Sequence, residues 1–137
     1  ELIHKIINAG LGAPSGGDVQ HWRFIVVKDA QVKQQIQHYY KKALDTLLPR
    51  YRSSPPPPGK THEQKSRMLD AVVYLTEHLH EAPVLIVCCL LGDFAAAMGL
   101  VKMSGASIYP AVQNMLLAAR GLGLGSTLTT RHLLFEQ

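Results

Sequence analysis

The stretch Gly105 to Thr130, GASIYPAVQNMLLAARGLGLGSTLTT, constrains the fold more than any other part of the chain. From Ile108 to Arg120 only Tyr109, Gln113, Asn114 and Arg120 interrupt a run of apolar residues, Pro110 counted among them. A helix that is apolar over most of its circumference has to be covered on several sides. Pro110 suits such a helix only in the first turn, where no backbone donor is required, and this makes Ser107 the expected N-cap. Gly121, Gly123 and Gly125 then end the helix, and Ser126 to Thr130 is expected to resume as a strand.

The rest of the chain must supply the cover. Leu2, Ile3, Ile6 and Ile7 recur at helical spacing, with Gly10 or Gly12 as the stop. Trp22 to Val27 is an aromatic and β-branched run with the pattern of a buried strand. Asp29 suits an N-cap, and Val32, Ile36, Tyr39, Tyr40, Ala43, Leu44 and Leu47 mark a helix that ends near Pro49. Residues 53–60, SSPPPPGK, form an exposed polyproline-like connector, because proline lacks the donor that a helix or inner strand needs; their other reading is a ligand for an SH3-type domain. A third helix from about Thr61 carries Met68, Leu69, Val72, Val73, Leu75 and Leu79, and Pro83 precedes a strand over 84–91. Residues 92–105, with Asp93, Phe94 and Met98, are expected to hold a short helix or a flap. The order α, β, α, α, β, α, β, with long helices and few strands, indicates an α/β or α+β layer fold whose sheet is small. At 137 residues the chain is expected to be a single domain around one core.

Composition narrows the function classes. Hydrophobic residues make up 47% and charged residues 18%, a globular balance with an apolar surplus that suits burial against a partner chain. The formal net charge is +4, with Lys and Arg spread over helices rather than gathered in one run, which fits anionic ligands and gives no nucleic-acid signature. Cys88 and Cys89 are adjacent in a strand-like run, so they point to opposite faces and read as buried thiols of a reducing compartment. There is no signal-peptide h-region, and VLIVCCLL is too short to span a bilayer, so a soluble cytoplasmic protein is expected. The first residues are already helical in pattern and the last, HLLFEQ, are an uncapped helix fragment, so the chain is expected to be truncated at both ends.

Most chemical motifs fail on spacing. GLGLGS follows a helix, precedes a strand and lacks the lysine of a phosphate loop, so it reads as a helix end. His78 and His80 lie about 200 degrees apart on a helix and cannot share one ion, so no metal is expected there. No Ser, His and Asp set has a nucleophile context. The segment APSGGDVQHW from Ala13 differs. It is anchored between a helix and a strand, Gly16 and Gly17 permit close approach of a ligand, and Ser15, Asp18 and Gln20 present a hydroxyl, a carboxylate and an amide suited to a polar heterocycle.

APSGGDVQHWRFIVV resembles the APSxxNxQPWxFxVV segment of the nitroreductase family of flavoproteins, and GASIYPAVQNMLLAARGLGLGSTLTT is similar to that family's central-helix segment. The two lie in the expected order and, with the helical pair between them, span nearly the whole chain. The resemblance implies an α+β fold of three α/β/α layers with a small mixed or antiparallel sheet. It also implies a homodimer with the long buried central helix at its interface and FMN in a cleft formed by both chains. By position, Pro14 and Ser15 would lie against the flavin, Asp18 and Gln20 would hydrogen-bond the ring or its ribityl chain, and Gly105, Ala106 and Ser107 would line the isoalloxazine from the other side. Hydride from NADH or NADPH would pass through the flavin N5 to nitroaromatics, quinones or similar small-molecule acceptors, with no side chain as nucleophile. The alternatives are a flavin-binding or cofactor-free dimeric domain without turnover, and a specialised flavin branch such as reductive dehalogenation. Asp18 stands where the family has Asn and His21 where Pro is common. The family's RRSxR segment and C-terminal basic segment, which hold the FMN phosphate, have no counterpart in these residues.

Overall fold

The computed structural model describes residues 1–91 and 105–131. The expected flap over 92–104 and the HLLFEQ helix fragment lie outside them. The elements are α1 (Leu2–Leu11), β1 (Trp22–Val27), α2 (Ala30–Ser53), α3 (His62–His78), β2 (Leu85–Leu90) and α4 (Gly105–Gly121), with short 3-10 turns at Gly16–Asp18 and Leu79–Glu81. The class is α+β: helices far outweigh a two-stranded antiparallel sheet of β1 and β2. Two compact units divide the chain, one of residues 1–26, 86–91 and 105–128, the other of 27–85 and 129–131.

In the first unit α1 and α4 pack on the sheet through two adjoining clusters. Ile6, Met115 and Ala119 gather Ile7, Phe24, Ile86, Cys88 and Leu122; Ala13, Trp22 and Ala111 gather Phe24, Leu90 and Ile108. Phe24 belongs to both, so the core is continuous across the sheet. Of the two glycines expected as the stop, Gly12 is the cap and Gly10 is not. It is buried inside α1, where a Cβ would stand 2.8 Å from Met115 Cγ and 3.3 Å from the Ala111 carbonyl. Its missing side chain lets α1 close on α4, and Gly12 caps the helix at an ordinary φ of −77°.

The end of α4 follows the expected glycine logic. Gly123 takes φ +78°, its N–H donates to Arg120 O and the Leu124 N–H to Ala119 O, the paired bonds of a Schellman cap. The strand expected over Ser126 to Thr130 is absent: these residues are irregular, because β1 and β2 pair with each other and neither extends a ladder to them among the described residues.

The second unit is a helical hairpin of α2 and α3. Asp29 caps α2 by accepting the Val32 N–H, and Thr61 opens α3 with a capping box closed by Gln64. Two expectations shift. Of the expected α2 stripe, Tyr40, Ala43 and Leu44 are buried and Ile36 and Leu47 half-buried, but Val32 and Tyr39 are exposed and Lys33 turns inward instead, reaching the Ala82 carbonyl at 2.7 Å. Likewise α3 buries Lys65 and Thr76, whose hydroxyl bonds Val72 O, and leaves Met68 exposed. Nor does α2 stop at Pro49. It runs on to Ser53, with only the Asp45 carbonyl losing its donor at Pro49 and with Lys65 donating to the carbonyls of Arg52 and Ser54 at the final turn.

Candidate functional site

The loop between α1 and β1 is pinned at both ends: the Ala13 N–H donates to Gly10 O, and the Leu91 N–H donates to His21 O at 2.8 Å. Ala13 and Trp22 are buried on Ala111 of α4, so the intervening residues are pushed outward, and Gly16 to Gln20 are exposed. Left-handed backbone is concentrated here, with Gly17 at φ 61°, Asp18 at 53° and Gln20 at 50°. Glycine bears such an angle freely, but each of the other two costs about 1 kcal/mol or more.

Local hydrogen bonds hold that conformation. The Asp18 N–H donates to Ser15 O, the Gln20 N–H to Ser15 Oγ at 3.0 Å, and the Gln20 side-chain amide to Asp18 Oδ1 at 2.7 Å. A further bond ties the loop to α4: the Gly16 N–H donates to Ser107 Oγ at 3.0 Å, across 91 residues of sequence. The two segments singled out in the sequence therefore meet at Ser15, Gly16 and Ser107. Pro14 is exposed beside them, whereas Asp18 and Gln20 are turned onto each other.

Ser107 is not the N-cap expected for α4. The helix is already wound at Gly105, which leaves the Ser107 hydroxyl free to accept from Gly16. Pro110 thus lies inside the helix and cannot donate to the Ala106 carbonyl, so that oxygen lacks its intrahelical partner. This acceptor was not foreseen from the sequence, because it follows from where the helix starts. Gly105 has a local reason as well, since a Cβ there would stand 2.4 Å from the Tyr109 ring.

The site therefore offers two serine hydroxyls that accept from backbone N–H groups and retain their own protons for a ligand. Beside them are the Gln20 amide and exposed glycine backbone. These donors and acceptors suit the polar edge of a planar heterocycle. At the loop's far end the buried His21 Nδ1 has no hydrogen-bond partner among the described residues. Ser107→Ala is expected to leave the Gly16 N–H without its acceptor and to cost about 1 kcal/mol, read as a lowered midpoint in urea unfolding.

Among the described residues no group of three His, Cys, Asp or Glu side chains can hold a metal ion. His78 pairs with Glu81 at 2.8 Å, and this hydrogen bond draws the Glu81 carboxyl below its usual range. Cys88 and Cys89 are free and half-buried on β2 rather than fully buried as expected; burial pushes the Cys88 thiol up, helped by its neighbour, which works against a thiolate nucleophile. No helix among the described residues is long and apolar enough to cross a membrane.

The chain matches the Nitroreductase family over residues 1–135. Among solved structures it is similar to an oxidised iodotyrosine deiodinase bound to FMN and 3-iodo-L-tyrosine, at 26% identity and a TM-score of 0.67, covering 94% of this chain and 61% of that one. A BluB-like flavoprotein from Clostridium difficile 630 matches at 24% identity and a TM-score of 0.61, covering 96% and 65%. A nitroreductase with bound FMN from Bacteroides fragilis NCTC 9343 matches at 22% identity and a TM-score of 0.52, covering 89% and 54%. The last two show the fold. The chain spans less than two thirds of each of these structures.

Proposed function

The chain belongs to the nitroreductase family, and from that premise we propose that it is an FMN-dependent oxidoreductase whose flavin rests on Ser15, Gly16 and Ser107. The observation that carries the reading is the Gly16 to Ser107 hydrogen bond, which joins the family's two motif segments into one surface of donors and acceptors. That donor set fits a flavin edge: hydroxyls and an amide for ring carbonyls and nitrogens. When bound, FMN supplies hydride chemistry at its N5. The chain's own part is to orient the ring and, through the serine and amide donors, to favour the added negative charge of the reduced form. The pairing of Asp18 with the Gln20 amide turns the carboxylate's charge onto a donor within the loop.

NADH or NADPH is the proposed reductant, and nitroaromatics, quinones or related small molecules the acceptors. A homodimer completes the site. In support, α4 is covered on its Ala111, Met115 and Ala119 side but leaves exposed a face on which Tyr109, 49% exposed, and Leu117, 62% exposed, flank Gln113, on the helix expected at the interface.

The test is titration of the purified chain with FMN, followed by reduction of the complex with NADPH. Ser15→Ala is expected to weaken FMN binding about tenfold, since it removes a hydroxyl donor and the acceptor that holds Gln20. Unchanged affinity and turnover in that variant would overturn the assignment. A second reading, reductive dehalogenation, is favoured by the likeness to the deiodinase, the one structure of the three above 25% identity. Iodide release from 3-iodo-L-tyrosine by the dithionite-reduced FMN complex, without nitroaromatic turnover, would select it.

A further inference from the structure

Lys and Arg are spread over the chain, but the formal charges outside residues 50–67 cancel. Residues 50–67 contain Arg50, Arg52, Lys60, Lys65 and Arg67 against the single acid Glu63, so this stretch holds the whole formal charge of +4 and the remainder is neutral. The fold puts it at the tip of the α2–α3 hairpin. There Glu63 is taken up by Arg67 at 3.8 Å, leaving the other cations without a carboxylate partner among the described residues.

A cleft of about 190 Å³ opens in this tip, lined by Arg52, His62, Lys65, Ser66 and Leu69. Four of these follow the helical repeat of α3, so they share one face, and Arg52 meets them from the last turn of α2. The wall is built rather than loose. Lys65, 9% exposed, spends its ammonium on the Arg52 and Ser54 carbonyls, and this fixes Arg52 beside α3. Ser54 is extended and the prolines that follow have fixed φ. The connector then turns at Gly59, φ +75°, with the Lys60 N–H on Pro57 O.

We propose that this cleft binds the phosphate group of a small organic phosphate. The guanidinium of Arg52, the His62 ring and the Ser66 hydroxyl supply donors around a recess whose side chains carry no carboxylate, and an arginine fork matches phosphate oxygens in pairs. Leu69 gives the organic part an apolar floor, and the recess is of small-molecule size. The site lies within the second unit and does not depend on the flavin reading.

The experiment is isothermal titration calorimetry of the full chain, saturated with FMN, using phenyl phosphate, inorganic phosphate and a heparin fragment as probes. Phenyl phosphate is expected to bind more tightly than inorganic phosphate, more weakly as salt is raised, and about tenfold more weakly to Arg52→Gln. Arg52 is exposed, so Arg52→Gln should keep the far-UV spectrum and unfolding midpoint, and His62→Gln provides a second variant with the same expected loss. Binding of heparin alone, or equal binding by wild type and both variants, would each overturn the proposal. Should the chain take up no FMN, the phenyl phosphate titration is read without it, so failure of the flavin reading is separately visible.

Discussion

Replacing Trp22 by alanine is expected to lower stability by about 3–5 kcal/mol, the usual cost of emptying a large buried aromatic site. Trp22 is 3% exposed and packs with Ala13 and Ala111, joining the loop's two anchors to α4. The loss should extend beyond the core, because the loop that carries the left-handed Gly17, Asp18 and Gln20 is anchored through Ala13 and Trp22. Urea unfolding measures the first effect and limited proteolysis of the loop the second. A loss below about 1 kcal/mol, with the loop still resistant, would show that the anchor lies elsewhere.

Gly10→Leu is expected to be comparably severe, at about 3 kcal/mol or more, for the opposite reason: it adds volume where none exists. Even one methyl at this position meets Met115 Cγ at 2.8 Å and approaches the Ala111 carbonyl. Met115 can swing away but the backbone carbonyl cannot, so Gly10→Ala should also destabilise despite alanine's better helix propensity. Combining Gly10→Ala with Met115→Ala tests the contact directly. The double variant should lose less than the two single losses added together, and strict additivity would refute the close packing of α1 on α4.

The sequence makes the helices and caps legible wherever local chemistry decides them. Asp29, Thr61 and the Gly121 to Gly125 run act through bonds to neighbours within a few residues, so their spacing is enough. Gly10 could not be read this way, since its partner Met115 is 105 residues away and only packing distinguishes a close approach from a stop. The bond that meets the last turn of α2 is equally non-local: its donor, Lys65, sits on the next helix. The strand pattern at Ser126 to Thr130 shows the converse. Side-chain preference is local, but a strand exists only when another backbone pairs with it. For the candidate site, the resemblance pointed to both segments, and the residue types at Ser15 and Ser107 were legible. The Asp18 to Gln20 pairing and the open Ala106 carbonyl depend on backbone angles and on the helix start, which residue types do not encode.

The left-handed angle at Asp18 separates two demands that sequence comparison merges. Asn and Asp tolerate that angle better than other side chains, so exchange of one for the other is nearly silent for the turn. It is not silent for a ligand, because it replaces an amide that both donates and accepts with a carboxylate that only accepts. The backbone thus admits Asp and Asn at position 18 on equal terms, and any discrimination between them falls to whatever the loop holds.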